Sequence, residues 1–223
     1  MIKLIAFDWN GTLLADTKHC YTSTNHTFNS IGIESISWQQ YRETFTIPIL
    51  DFYAANGADR EYILANISTF TMTFHNHYEN LAVKARTRKG TRAILTYLQD
   101  RKIDRVIFSN HNVAAITKQL ERLGIKELIP HVLAHIDRAD NVEKRNKGQK
   151  LAQFIKEHKY LAREVVIVGD TEEEIHIGKE LQATTIAITG GNHTARKLLA
   201  AKPDYLIHNL HALQHIINKL FPT

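Results

Sequence analysis

Residues 2–7 (Ile-Lys-Leu-Ile-Ala-Phe) are apolar except for Lys3, and the run stops abruptly at Asp8, Asn10, Gly11 and Thr12. A short unbroken apolar run predicts a strand buried on both faces, as inside a parallel sheet. The spacing then turns helical. Helices are predicted over residues 17–30 (capped by Asp16 or Thr17, ended by Gly32), 38–45 (capped by Ser37), 49–55 (opened by Pro48) and 60–81 (capped by Asp59). No strand pattern interrupts residues 15–84. Beyond them the pattern alternates. Helices are predicted at 91–101, 113–123, 148–158, 172–181, 194–200 and 210–220, with strands at 104–108, 131–135, 164–168, 184–188 and 205–207. Such alternation predicts an α/β fold, a parallel sheet with helices on both faces. Residues 1–14 and 85–223 are expected to form this core, and 15–84 an inserted all-helical domain.

Composition narrows the partners. With 223 residues and 43% of them apolar, the chain can bury a real core, which argues against disorder. The net charge is +5, but the dense basic clusters, residues 84–89 and 144–147, are not interleaved with aromatics. Nucleic acid is therefore not expected as a partner, and a small anionic ligand suits the mild positive field better. Cys20 is the only cysteine, so no intrachain disulfide can form. No apolar run approaches the roughly 18–20 residues of a membrane span, and the N-terminus reads as a strand, not a leader. The expectation is a cytoplasmic protein without a membrane partner.

Three predicted strands end in polar groups: Asp8 and Asn10, Ser109 and Asn110, and Gly169 and Asp170. Ligands of open α/β sheets bind at the carboxyl ends of the strands, so neighbouring strands would bring these groups together. A carboxylate there is costly to bury without a cation or donors. Lys147, at the start of the helix leading to Asp170, is the candidate cation. Lys144, Arg145 and Lys150 stand close by, and a solvated charge cluster is the alternative. Glu172 and Glu173 read as first-turn acids favouring the helix dipole. Among the 13 histidines, the pairs His75/His77 and His131/His135 are read as exposed positions, not zinc ligands. His111, just past Ser109-Asn110, is a candidate for facing a pocket.

These motifs resemble the haloacid dehalogenase-like hydrolase superfamily, and in particular its phosphoglycolate phosphatase-like members. Asp8-Trp9-Asn10-Gly11-Thr12 is similar to the first family motif, residues 106–110 to the second, Lys147-Gly148 to the third, and Gly169-Asp170 with Glu174 to the fourth. The resemblance implies a Rossmann-like core with a helical cap, and a Mg²⁺-dependent phosphatase acting on a small phosphorylated metabolite. It implies Asp8 as the nucleophile that forms an aspartyl-phosphate. Asp8, the Asn10 backbone carbonyl, Asp170 and Glu174 would hold the metal. Ser109, the Asn110 N–H and Lys147 would hold the phosphoryl group, with Gly11 and Thr12 shaping the loop. The cap would close over the site on hinges near residues 14–16 and 83–87, with Arg42, Thr46 and Tyr53 as candidate pocket liners.

Asn10 departs from the family pattern, which has an aspartate there as general acid and base. An amide has no ionisable proton near neutral pH, and losing such a group costs on the order of 10²–10⁴ in rate. Asn10 can still donate an N–H to the leaving group or orient a water. A slow or selective phosphatase is therefore expected, with acyl and aryl phosphates suffering least. The competing reading is a catalytically weak binding or regulatory protein on the same fold.

Overall fold

The computed structural model describes residues 1–135 and 146–220. Lys144 and Arg145 lie outside the described residues. Strand β1 (Leu4–Phe7) is buried at all four positions. Its neighbours are β2 (Asp104–Asn112), β3 (His131–His135), β4 (Val165–Gly169), β5 (Thr184–Ile188) and β6 (Tyr205–Ile207). The order is β3-β2-β1-β4-β5-β6, and every pairing is parallel. The chain thus winds outward in both directions from β1, and the order reverses there. That reversal opens a crevice at the carboxyl ends of the central strands. Phe7 sits beside Ile107 on one side and Val168 on the other, so Asp8 emerges between the ends of β2 and β4.

Alternation along the strands divides the core into two layers. Ile5, Phe7, Ile107, Val166, Val168, Ile186 and Ile188 pack on one face with Leu95, Leu98, Leu120 and Leu213. These come from helices α6 (Thr91–Asp100), α7 (Val113–Arg122) and α11 (His211–Leu220). Leu4, Ala6, Val106, Phe108, Val165 and Ile167 pack on the other face with Leu151, Phe154 and Ile177, from α8 (Lys147–Glu157) and α9 (Glu172–Glu180). A further helix, α10 (Ala195–Ala200), precedes β6.

Between β1 and α6 lie five helices: α1 (Thr17–Ser30), α2 (Trp38–Thr44), α3 (Ile49–Ala55), α4 (Arg60–Ala65) and α5 (Ile67–Ala82). They share an apolar cluster of their own, centred on Phe28, Tyr41, Phe52, Tyr53, Ile63 and Phe70. Each fully buried side chain of this size is worth roughly 1.5–3 kcal/mol. The two strands of chain that connect this segment to the sheet run side by side. Ala15 N–H donates to Arg86 at 2.8 Å, and Arg88 N–H to Leu13 at 2.8 Å.

Three local expectations are corrected. The single helix expected over 60–81 breaks at Asn66, whose side-chain N–H donates to the Tyr62 carbonyl at 2.9 Å. A side chain that competes for backbone groups in this way ends one helix and starts another. The strand expected to stop at Phe108 runs on to Asn112, with a register shift against β3 between Phe108 and Asn112. Ser109, Asn110 and His111 therefore ride on a strand extension with alternating burial, not on a turn. Asp16 stands at the N-cap of α1 as expected, but its side chain makes no capping bond to the backbone there; its carboxylate serves other donors, as described below.

Trp9 anchors the loop after β1. Its ring is fully buried, and its indole N–H donates to Gln119 on α7 at 2.6 Å. Trp9→Phe leaves the buried Gln119 oxygen without that donor and should cost about 1–3 kcal/mol in urea unfolding. Adding Gln119→Leu removes the stranded polar group and should restore part of the loss.

Candidate active site

Asp8 leaves β1 buried, and its carboxylate is 3.3 Å from the Lys147 ammonium. Lys147 is the first residue of α8, also buried, and it reaches Glu173 at 3.0 Å as well as Glu174. Glu174 places its second oxygen on the N–H and hydroxyl of Thr171, at 2.9 and 2.7 Å, closing a capping box at the start of α9. Glu173, read from the sequence as a first-turn acid favouring the helix dipole, is buried and accepts from the Asn110 amide at 2.7 Å. One lysine thus holds together the ends of β1 and α9, and the β2 extension joins through Glu173. Lys150, the described alternative to Lys147, donates instead to the Ala134 carbonyl at 2.8 Å.

Asp170 is fully buried. It accepts from the Thr12 hydroxyl at 2.8 Å, the Asn192 N–H at 2.5 Å and the Asn192 amide at 3.0 Å. Gly11 makes this possible. Its φ is +78°, and a Cβ there would lie 2.4 Å from the Asp170 carboxylate. Gly11 and Thr12 therefore hold the turn and orient Asp170; the Gly11 N–H goes to Asp16 at 2.8 Å.

Burial drives the electrostatics. It pushes the Asp8 carboxyl well above the usual range, against the pull of Lys147 and helped by Glu174 and Asp170. Burial and Glu174 push Asp170 up to about 6. Burial would by itself push Lys147 down, but Glu173, Glu174 and Asp8 outweigh it and hold its pKa well above the ordinary lysine value. Three buried carboxylates thus meet one buried ammonium and Asp170 is buried beside them without it, an excess of negative charge that a hard divalent cation offsets. The donor set, all carboxylate and carbonyl oxygen, fits Mg²⁺.

Asn10 borders the same cavity as Asp8 and Lys147, but its amide N–H groups are engaged. Its two N–H groups go to Asp16 at 2.6 Å and to the Tyr78 hydroxyl at 2.8 Å, and Tyr78 donates to the same Asp16 oxygen at 2.6 Å. The N–H expected to be available for a leaving group is taken. Asp16 and Tyr78, neither foreseen as site residues, sit within this network, and Cys20 completes it at 3.7 Å.

Above the strand ends is a cavity of about 170 Å³. Its floor is Asp8, Ser109, Asn110, Lys147, Glu173 and Glu174, and its roof, drawn from α2–α5 and their connections, carries Tyr41, Phe45, Tyr53, Phe70, Phe74 and Tyr78. His111 borders it as expected from its position. Of the liners expected in the helical segment, Tyr53 lines the cavity. Arg42 does not: its guanidinium donates to the carbonyls of Gly191 at 3.0 Å and His193 at 2.7 Å. Thr46 lies against Glu172 at 3.5 Å.

The profile of the haloacid dehalogenase-like hydrolases matches residues 5–188. The chain belongs to that family. A phosphoglycolate phosphatase of Vibrio parahaemolyticus is 24% identical over 97% of this chain and 96% of its own. A haloacid dehalogenase-like hydrolase of Streptococcus pneumoniae superposes with a TM-score of 0.81 at 19% identity, covering 97% of this chain and 98% of that one. CbbY of Rhodobacter sphaeroides, solved as a variant with xylulose-1,5-bisphosphate, gives 0.72 at 17% identity over 94% and 95%. These two structures share the fold. The protein is thus an enzyme of the hydrolase class, with the family's α/β core.

This haloacid dehalogenase-like hydrolase locks its helical segment onto the loop after β5. Besides Arg42, the Tyr41 hydroxyl donates to Asn192 at 2.9 Å, and Lys197 donates to the Phe45 carbonyl at 2.6 Å. His193, unremarkable in the sequence, is buried in the seam. It accepts from the Glu172 N–H at 3.1 Å and faces the Phe45 carbonyl at 2.8 Å, so its other nitrogen carries the proton. Burial and the nearby Lys197 and Arg42 depress its pKa to about 3. A histidine held neutral in the fold takes up its proton on unfolding. Its contribution is complete above the unfolded value of about 6.5 and is lost as pH falls toward the folded one, by up to about 1.4 kcal/mol per pH unit. Stability measured by denaturant from pH 7 to 4 should therefore decline along this limb. His193→Gln should flatten it by close to one proton.

Proposed function

We propose that the protein is a Mg²⁺-dependent phosphatase that hydrolyses a small phosphorylated metabolite through an aspartyl-phosphate on Asp8. The observation that carries this reading is the Asp8 carboxylate at the end of the central strand, 3.3 Å from the buried Lys147 on the floor of the cavity. Asp8 attacks phosphorus as the bond to the leaving oxygen breaks. Water then attacks the aspartyl-phosphate, releasing phosphate and freeing Asp8. Ser109, the Asn110 N–H and Lys147 hold the phosphoryl oxygens and offset their charge. Asp8, the Asn10 carbonyl and Asp170 are the ligands assigned to the metal, with Glu174 next to them holding Lys147. When bound, the metal supplies charge neutralisation between Asp8 and the phosphate dianion. Residues 15–84 act as a cap that excludes water, hinged where the two connecting strands of chain run side by side.

Two observations bear on the leaving group. The Asn10 amide is bound to Asp16 and Tyr78 and has no proton to give. The cavity roof is aromatic, and Lys147 is the one lysine or arginine among the described residues lining it. A second strongly anionic group, such as the carboxylate of phosphoglycolate, has little to bind there. An apolar or aromatic group whose oxygen leaves without protonation fits better.

The test is phosphate release from aryl phosphates, acyl phosphates, alkyl phosphates and phosphoglycolate. Aryl phosphates should exceed phosphoglycolate in kcat/KM by at least about tenfold, with EDTA or Asp8→Asn abolishing turnover. Asn10→Asp sets a carboxyl against Asp16, where one of the two must keep a proton, and so should restore an acid. Alkyl phosphates should then gain on the order of 10²-fold and aryl phosphates much less. A variant no faster on any substrate would show that protonation of the leaving group is not limiting. Ligand-induced thermal shifts without any turnover would favour a binding protein.

A further inference from the structure

His75 and Glu79 lie four residues apart on α5, so both project from one face of the helix. His111 comes from the extension of β2 and approaches that face. Its Nε2 is 3.2 Å from the Glu79 carboxylate, and the His75 and His111 rings lie nearly parallel, 9° apart, with centroids separated by 5.9 Å. One ligating atom from each of the three residues falls within 4.8 Å of the others. Imidazole nitrogens and a carboxylate oxygen around a four-coordinate zinc, each about 2.0–2.2 Å from the metal, lie roughly 3.3–3.5 Å apart. The Glu79–His111 pair, at 3.2 Å, is close to that spacing, and a rotation of the half-buried His75 side chain would bring in the third.

We propose that His75, Glu79 and His111 form a binding site for a divalent transition metal ion such as Zn²⁺, distinct from the oxygen-only cluster around Asp8 and Asp170. The chemistry separates the two sites. Two imidazoles and one carboxylate suit zinc, copper or cobalt, whereas the carboxylates at the strand ends suit magnesium. Three protein ligands leave a coordination position open, as in zinc sites that also bind water or a small anion. His75 and His111 border the cavity, so the open position faces it and can hold a water molecule. Helix α5 itself steadies the His111 ring: Tyr78 packs edge-on against it, 5.5 Å between centroids, and His111 is buried. The ion would therefore join the helical segment to the sheet at a second point, away from the His193 seam.

The test uses the intact chain in excess Mg²⁺, so that the oxygen cluster is saturated. Calorimetric titration with Zn²⁺ should show one strong site. His75→Asn and Glu79→Gln should each weaken it by at least about tenfold, the lower end of what perturbing even supporting groups of a metal site costs. Both replace partly exposed helix residues and keep the fold testable by thermal melting. Cu²⁺ bound at one equivalent should show hyperfine coupling to two imidazole nitrogens in its paramagnetic resonance spectrum, reduced to at most one in His75→Asn. Zinc affinity unchanged within twofold in both variants, or one-equivalent copper with oxygen-only ligation, overturns the proposal. So does the absence of a strong site in the unmodified chain.

Discussion

The structure depends on a carboxylate held where burial disfavours its charge. Asp8 sits at the end of a strand buried on every face, where the winding order of the sheet reverses. Water cannot solvate it, so neighbouring groups must. A single ammonium, Lys147, answers three acids that the topology forces together, Asp8, Glu173 and Glu174, and a fourth, Asp170, is buried beside them on other donors. Lys147 can do so only because it opens a helix at the rim, where its side chain turns inward. The remaining negative charge is the reason for reading the cluster as a seat for a hard cation. The same surplus explains why Asp170 is wrapped by Thr12 and Asn192, whose N–H and hydroxyl dipoles hold it in one orientation.

A second buried carboxylate, Asp16, governs the loop between sheet and helices. It collects the Gly11 N–H, the Asn10 amide and the Tyr78 hydroxyl, and so joins the first turn of the loop to the middle of α5. This interaction decides what Asn10 can do. In the sequence, Asn10 is a substitution at an expected acid, with an amide available for a bond to substrate. In the structure that amide belongs to the loop. For the proposed phosphatase chemistry the consequence is specific: position 10 would give the leaving group no proton, and the aromatic roof would favour groups that need none.

The helical segment is tied to the sheet by polar contacts along its edge rather than by a shared apolar core. Its aromatic cluster is self-contained, while Arg42, Tyr41, His193 and Lys197 make the crossing bonds. Contacts of that kind are directional and individually modest, and they are the ones that opening of the proposed cap would break. They also explain why Arg42, an obvious candidate for recognising an anion, is unavailable to one: its guanidinium is occupied by backbone carbonyls across the seam.

The order of strands and helices, the burial of β1 and the positions of Asp8, Ser109, Lys147 and Asp170 were legible in the sequence. Hydrophobic period and strand-end polarity are local properties, and a chain of alternating elements leaves few ways to wind a parallel sheet. The family motifs sharpened that reading, since their spacing survives even at low identity. What only the tertiary structure decided are the partnerships between residues distant in sequence. Glu173 read as a first-turn acid favouring the helix dipole and is buried on Lys147. Asp16 read as a helix cap and is the acceptor for Asn10 and Tyr78. His75 and Glu79 were two unrelated residues of an amphipathic helix until His111 arrived from a strand extension that the pattern had ended three residues earlier. Local pattern reports whether a position is inside or outside; which charge meets which depends on how the sheet and the helices close over one another.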